Sequence, residues 1–132
     1  MGYNDTWTLI QTLGASDASA GDRFGTSLEL EGNDLIVGAP DKEADDAVNS
    51  SGNFPGQDVG RAYLYTLDTL SQTFGNERVL FNEQTTTRDE FGTGVALDET
   101  SGTALVGAWL DNRGANNSGS AYIFEYSDGT FP

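Results

Sequence analysis

The sequence predicts an all-β chain, and three observations predict it. A pattern of segments occurs twice in the same order, short runs rich in β-branched and aromatic residues are bounded by Gly, Asn, Asp and Ser, and no stretch shows helical periodicity. The repeat is carried first by Asp22-Arg23-Phe24-Gly25-Thr26-Ser27-Leu28-Glu29-Leu30, which matches Asp89-Glu90-Phe91-Gly92-Thr93-Gly94-Val95-Ala96-Leu97. Leu35-Ile36-Val37-Gly38-Ala39-Pro40 then pairs with Ala104-Leu105-Val106-Gly107-Ala108-Trp109, and Gly60-Arg61-Ala62-Tyr63-Leu64-Tyr65 with Gly119-Ser120-Ala121-Tyr122-Ile123-Phe124. Three matched segments in one order are hard to obtain by chance.

Each segment reads as a strand. Phe24 to Leu30 is the first of its unit, and the tight turn Glu31-Gly32-Asn33-Asp34, with residues that tolerate positive φ, returns the chain into Leu35 to Ala39. A polar loop, Asp41 to Asp58, leads to a third strand over Arg61 to Leu67, and a fourth follows at Arg78 to Phe81. Four antiparallel strands per unit is the pattern of a propeller blade. The second unit repeats this plan from Phe91 to Tyr126 and then lacks a fourth strand. Trp7-Thr8-Leu9-Ile10-Gln11-Thr12-Leu13 stands before the first unit where Arg78 to Phe81 stands before the second, so it reads as an outer strand without its own blade.

The expected architecture is therefore two blades in a single unit over 1–132, with blade repeats at 22–81 and 89–126. Two blades do not close a propeller. An unpaired edge invites another chain, and the phase predicts a homo-oligomer, a trimer or a tetramer, in which Trp7 to Leu13 completes the second blade of a neighbouring copy. The alternative is that these residues are one piece of a longer propeller.

Composition bounds the function. The chain of 132 residues carries 6 Lys and Arg against 21 Asp and Glu, a formal charge of −15. Such a charge repels phosphate backbones and anionic lipid, so neither nucleic acid nor membrane is an expected partner. No apolar run is long enough to insert in a bilayer as a helix. Cysteine is absent, which excludes disulfides and thiolate chemistry, and histidine is absent, which removes the commonest general base and transition-metal ligand. Paired carboxylates such as Asp45 with Asp46 have no spacing that selects them as acid and base. Asp22 and Asp89 recur before Phe-Gly, as turn or capping residues would. No catalytic residue is predicted.

Phe24-Gly25 followed by Val37-Gly38-Ala39-Pro40 resembles the FG-GAP repeat, and the second unit keeps Phe91-Gly92 and Gly107-Ala108 with Trp109 in place of Pro. The resemblance implies the β-propeller of integrin α-subunit heads and of bacterial surface and secreted proteins, and with it a non-catalytic interaction or adhesion role at the cell surface or outside the cell. In it the Gly would allow close approach of inner strands, and the Phe would fill the wedge between blades. Integrin-like repeats often carry a calcium loop between the first two strands. The turns here, Glu31 to Asp34 and Asp98 to Thr103, are too short or too poor in oxygen ligands, so the match is to the short, calcium-free variant.

Loops joining second to third strands leave a blade on the same face as loops leading into the next blade. These are Asp41 to Asp58, Leu110 to Ser118, Gly14 to Gly21 and Asn82 to Arg88. A protein or glycan ligand is expected there, at Phe54, Trp109, Leu110 and Arg113, because aromatic and Arg side chains dominate interface energetics and loops on a rigid scaffold carry binding. Trp109 could equally pack between blades. Ca2+ is the possible cofactor, with Asp41, Asp45, Asp46 and Asp111 as its candidate oxygen donors. Solvated loop carboxylates are the alternative for the same residues.

Overall fold

The computed structural model describes residues 7–18, 21–42, 60–81, 90–110 and 118–126. Among them the chain forms strands only: β1 (Ser27–Glu31), β2 (Asp34–Ala39), β3 (Arg61–Asp68), β4 (Thr73–Leu80), β5 (Phe91–Asp98), β6 (Thr103–Ala108) and β7 (Ser120–Glu125). They make a four-stranded antiparallel sheet in the order β1-β2-β3-β4 and a three-stranded one in the order β5-β6-β7.

Local chemistry explains the bounds. β1 begins at Ser27 rather than Phe24 because Arg23 and Gly25 take positive φ (60° and 96°), and the resulting turn is closed by Thr26, whose N–H and hydroxyl both donate to the Arg23 carbonyl. The second unit forms the same turn, with Glu90 and Gly92 at φ 56° and 103° and Thr93 bonded to the Glu90 carbonyl. β4 starts five residues before the expected Arg78, since the Thr73–Phe74 end pairs with Leu67–Asp68 around a bulge that the sequence pattern conceals.

The two sheets pack face to face. Ile36, Ala62, Leu64 and Leu80 from the first meet Phe91, Leu97, Ala104, Val106 and Ala108 from the second in one apolar core. β5 lies against β1 and β2, and the backbones touch: Ser27 Oγ donates to the Gly92 carbonyl at 3.0 Å. A Cβ at Gly38 would collide with that carbonyl and one at Gly92 with the Arg61 carbonyl. The close approach expected of the Gly after Phe is thus present at Gly92. At Gly25 nothing lies nearby, and only the positive φ calls for glycine. Both phenylalanines pack on the aromatic pair of their own third strand, Phe24 on Tyr63 and Tyr65, Phe91 on Tyr122 and Phe124.

Residues 7–15, expected to include a strand, form none within the single chain. Its Leu13 end lies on the face of the first sheet turned away from the second, Trp7, Leu9 and Ile10 are exposed, and its backbone joins no ladder. Side chains hold it instead. Leu13 and Ala15 pack on Val37, Ala39, Tyr63 and Tyr65, and the Gln11 amide bonds both backbone groups of Phe74 at 2.8 and 2.9 Å. Ser16 is bonded through its N–H and its hydroxyl to the Glu77 carboxylate.

A polar latch closes the sheet pair at the β1–β2 hairpin end. Tyr126 OH donates to Asp34 Oδ2 at 3.1 Å, and Arg78 Nη2 donates to Thr66 Oγ1 at 2.6 Å beside it. Burial holds the Arg78 guanidinium below its ordinary range, opposed by the Asp34 charge, and pushes the Tyr126 phenol up.

Candidate interaction face

The loops expected on one face do meet within the first unit. Asp41 N–H donates to the Asp22 carbonyl at 3.2 Å and Gly60 N–H to the Lys42 carbonyl at 3.0 Å, so the segment entering β1 and the two ends of the β2–β3 loop converge. Their side chains form one cluster around a single cation, which faces two carboxylates. Lys42 is buried, with Nζ 3.3 Å from Asp22 Oδ2, 3.9 Å from Asp17 Oδ2 and bonded to the Asp17 carbonyl. Tyr63 OH donates to Asp17 Oδ1 at 2.8 Å. Burial and that carboxylate push the Tyr63 phenol far above its ordinary range, and burial with Glu77 does the same to Tyr65. Asp41 lies outside the cluster, paired with exposed Arg23 at 2.9 Å.

This geometry bears on the cation site. Among the described residues no group of three or more potential ligands gathers where a metal could sit. Asp41 already has a guanidinium, and the Lys42 ammonium occupies the space between the Asp17 and Asp22 carboxylates. In the Asp98 to Thr103 turn, the Asp98 carboxylate accepts from Thr100 N–H at 3.1 Å and Ser101 OH at 2.9 Å, shaping the β5–β6 connection. Glu99 reaches across the sheets to Asn33 N–H at 2.9 Å. Asp45, Asp46 and Asp111 lie outside the described residues.

Of the four expected contact residues, Phe54 and Arg113 also lie outside the described residues. Trp109 and Leu110 sit together at the end of β6, Leu110 half-buried and Trp109 59% exposed. The indole N–H donates to Glu90 Oε2 at 3.0 Å, joining the loops before β5 and after β6 as the Asp22–Asp41 contact does in the first unit. Pro40, its counterpart, is buried, so the Pro-to-Trp change turns a packed corner into a presented aromatic. Sequence reasoning missed Lys42. The available signal was a lone cation directly after Asp41, one of only 6 Lys and Arg in the chain.

A family model described as FG-GAP repeat matches residues 7–65 and again residues 74–124, most of the chain. The chain belongs to the FG-GAP repeat family. The two FG-GAP matches begin at Trp7 and Phe74, the same separation as between Phe24 and Phe91, so the repeat unit starts on a fourth strand and Trp7 to Leu13 corresponds to Phe74 to Leu80 of β4. Of the FG-GAP marks, Phe91 in the core, Gly92 against Arg61 and Gly38 against Gly92 fall where the sheets touch, while Phe24, Gly25 and Ala39 lie on the outer face of the first sheet. A search of curated proteins finds no match.

Proposed function

We propose that this FG-GAP chain is a non-catalytic interaction or adhesion module of the cell surface or extracellular space, which assembles propeller blades from several copies and binds a protein through its loop face. The observation that carries the reading is the use made of its polar groups. The carboxylates of the described loop face are engaged by Lys42, Arg23, Tyr63 and Trp109 in holding loops on a rigid sheet pair, while the Trp109 indole is presented to solvent. Loop ends anchored on a sheet scaffold beside an exposed aromatic are the elements of a binding surface.

A glycan is the second reading, favoured by one contact. An exposed indole face beside a carboxylate, Trp109 with Glu90, offers both an apolar platform for a sugar ring and an acceptor for its hydroxyls. Both readings are tested by screening the folded chain against a glycan array and a panel of immobilised extracellular proteins, with Trp109→Ala as control. Binding that falls at least about tenfold in the variant supports this face, the loss expected of a hot-spot aromatic. Binding unchanged by the variant removes it.

A further inference from the structure

The two outer faces of the sheet pair are the two halves of the interface between its sheets. The first sheet turns Ile36, Ala62 and Leu64 into the core, and their counterparts on the second sheet, Leu105, Ala121 and Ile123, face outward. Leu64 has no exposure and Ile123 is 72% exposed. The second sheet turns Val95, Leu97, Tyr122 and Phe124 into the core, and their counterparts Leu28, Leu30, Tyr63 and Tyr65 lie on the opposite outer face. Leu97 is 7% exposed and Leu30 59%. Gly92 is backed by the Arg61 carbonyl, whereas the space behind Gly25 is open.

The N-terminal segment supplies the remaining part. Leu80 of β4 packs into the core that the second sheet faces, and its counterpart Leu13 packs in the same way on the outer face of the first. The Leu13 end of the segment therefore lies where the fourth strand of a preceding blade would end, with Trp7, Leu9 and Ile10 exposed, while β7 has no ladder partner on its outer side among the described residues.

Resting on the assembly reading above, we infer that a second copy of this chain docks head to tail, its Leu105–Ala121–Ile123 face covering the exposed Leu28 and Leu30 beside Tyr63 and Tyr65, which Leu13, Ala15 and Phe24 already bury, and its β7 edge pairing antiparallel with Trp7 to Leu13. The β3–β4 register, Ala62 to Leu80, Tyr63 to Val79 and Leu64 to Arg78, carries over to set Ala121 opposite Leu13, Tyr122 opposite Thr12 and Ile123 opposite Gln11. The contact is heterologous, and repeated around an axis it closes a ring.

Because the chain has no cysteine, single substitutions make a clean probe. Co-expressed Gln11→Cys and Ile123→Cys chains, or Thr12→Cys and Tyr122→Cys chains, are expected to form an interchain disulfide on oxidation, since opposed positions bring Cβ atoms within bridging range. The off-register mixture of Leu9→Cys with Ile123→Cys is expected not to. Light scattering on the wild type should give a whole multiple of 14.0 kDa. Ile123→Asp, at an exposed site, and Thr12→Pro, in a segment outside any ladder of the single chain, should each return the mass to 14.0 kDa with the β-sheet circular dichroism retained. A wild-type monomer overturns both the docking and the assembly reading. An oligomer insensitive to both variants, or cross-linked only off register, overturns the docking alone, and neither result bears on ligand binding by the Trp109 face.

Discussion

Lys42 shows how one side chain organises a loop face. Its ammonium is buried between two carboxylates and a backbone carbonyl, whereas the Arg23–Asp41 pair nearby faces solvent on the arginine side. Removing one partner of a buried pair leaves the other charge without compensation, while an exposed pair is screened by water and salt. Lys42→Met should therefore destabilise the fold by about 3 kcal/mol in urea unfolding, with Arg23→Ala leaving the midpoint almost unchanged. Equal effects from the two variants would contradict the burial argument. The same cluster explains why recurrence of Asp22 was legible but its partner was not: a cation distant by 20 residues in the chain is brought to it only when β1 and β2 pair.

At the scale of elements, the sheet-to-sheet contact is apolar in its middle and polar at the β1–β2 hairpin end. Asp34 accepts from Tyr126 and lies beside Arg78 and Thr66, so the latch ties β2, β3, β4 and the end of β7 together. Tyr126→Phe removes one bond and should cost about 1 kcal/mol. Asp34→Ala takes the acceptor from both hydroxyls and the nearby negative charge from Arg78, and should cost about twice that. Calorimetry on both variants checks the order, and a Tyr126→Phe loss larger than that of Asp34→Ala would place the latch elsewhere. The strands themselves were legible because Val, Ile, Leu and Tyr alternate with turn residues at each boundary. The early start of β4 was not: Thr73-Phe74-Gly75-Asn76 has no alternation, and its pairing depends on a bulge opposite Tyr65. Trp7 to Leu13 was legible as a strand by phase, yet in the single chain its backbone joins no ladder: Leu13 packs on a sheet face, and at the β4 edge the Gln11 amide takes both backbone groups of Phe74.

For the whole molecule, three phenols share one consequence. Tyr63, Tyr65 and Tyr126 are each raised above the ordinary value by burial, and each donates to a carboxylate, of Asp17, Glu77 and Asp34 respectively. A raised folded pKa means that the folded state keeps a proton the unfolded state loses. Their contribution is then complete below pH about 10 and declines as pH rises beyond it. Thermal midpoints should fall steeply above that pH, and Tyr63→Phe with Tyr65→Phe should flatten the fall. An alkaline profile unaltered in the double variant would remove the phenols from the account.

Residue order alone carries the succession of strands, the two-fold repeat and the exclusion of thiol and imidazole chemistry, because these rest on local composition and spacing, and the Phe-Gly and Gly-Ala-Pro marks carry the family resemblance. Folding settles which carboxylates meet cations, that Trp109 is presented rather than packed, and which faces of the sheets are covered. Those depend on distances between residues far apart in the chain, and they exist only once two sheets have closed on a common core.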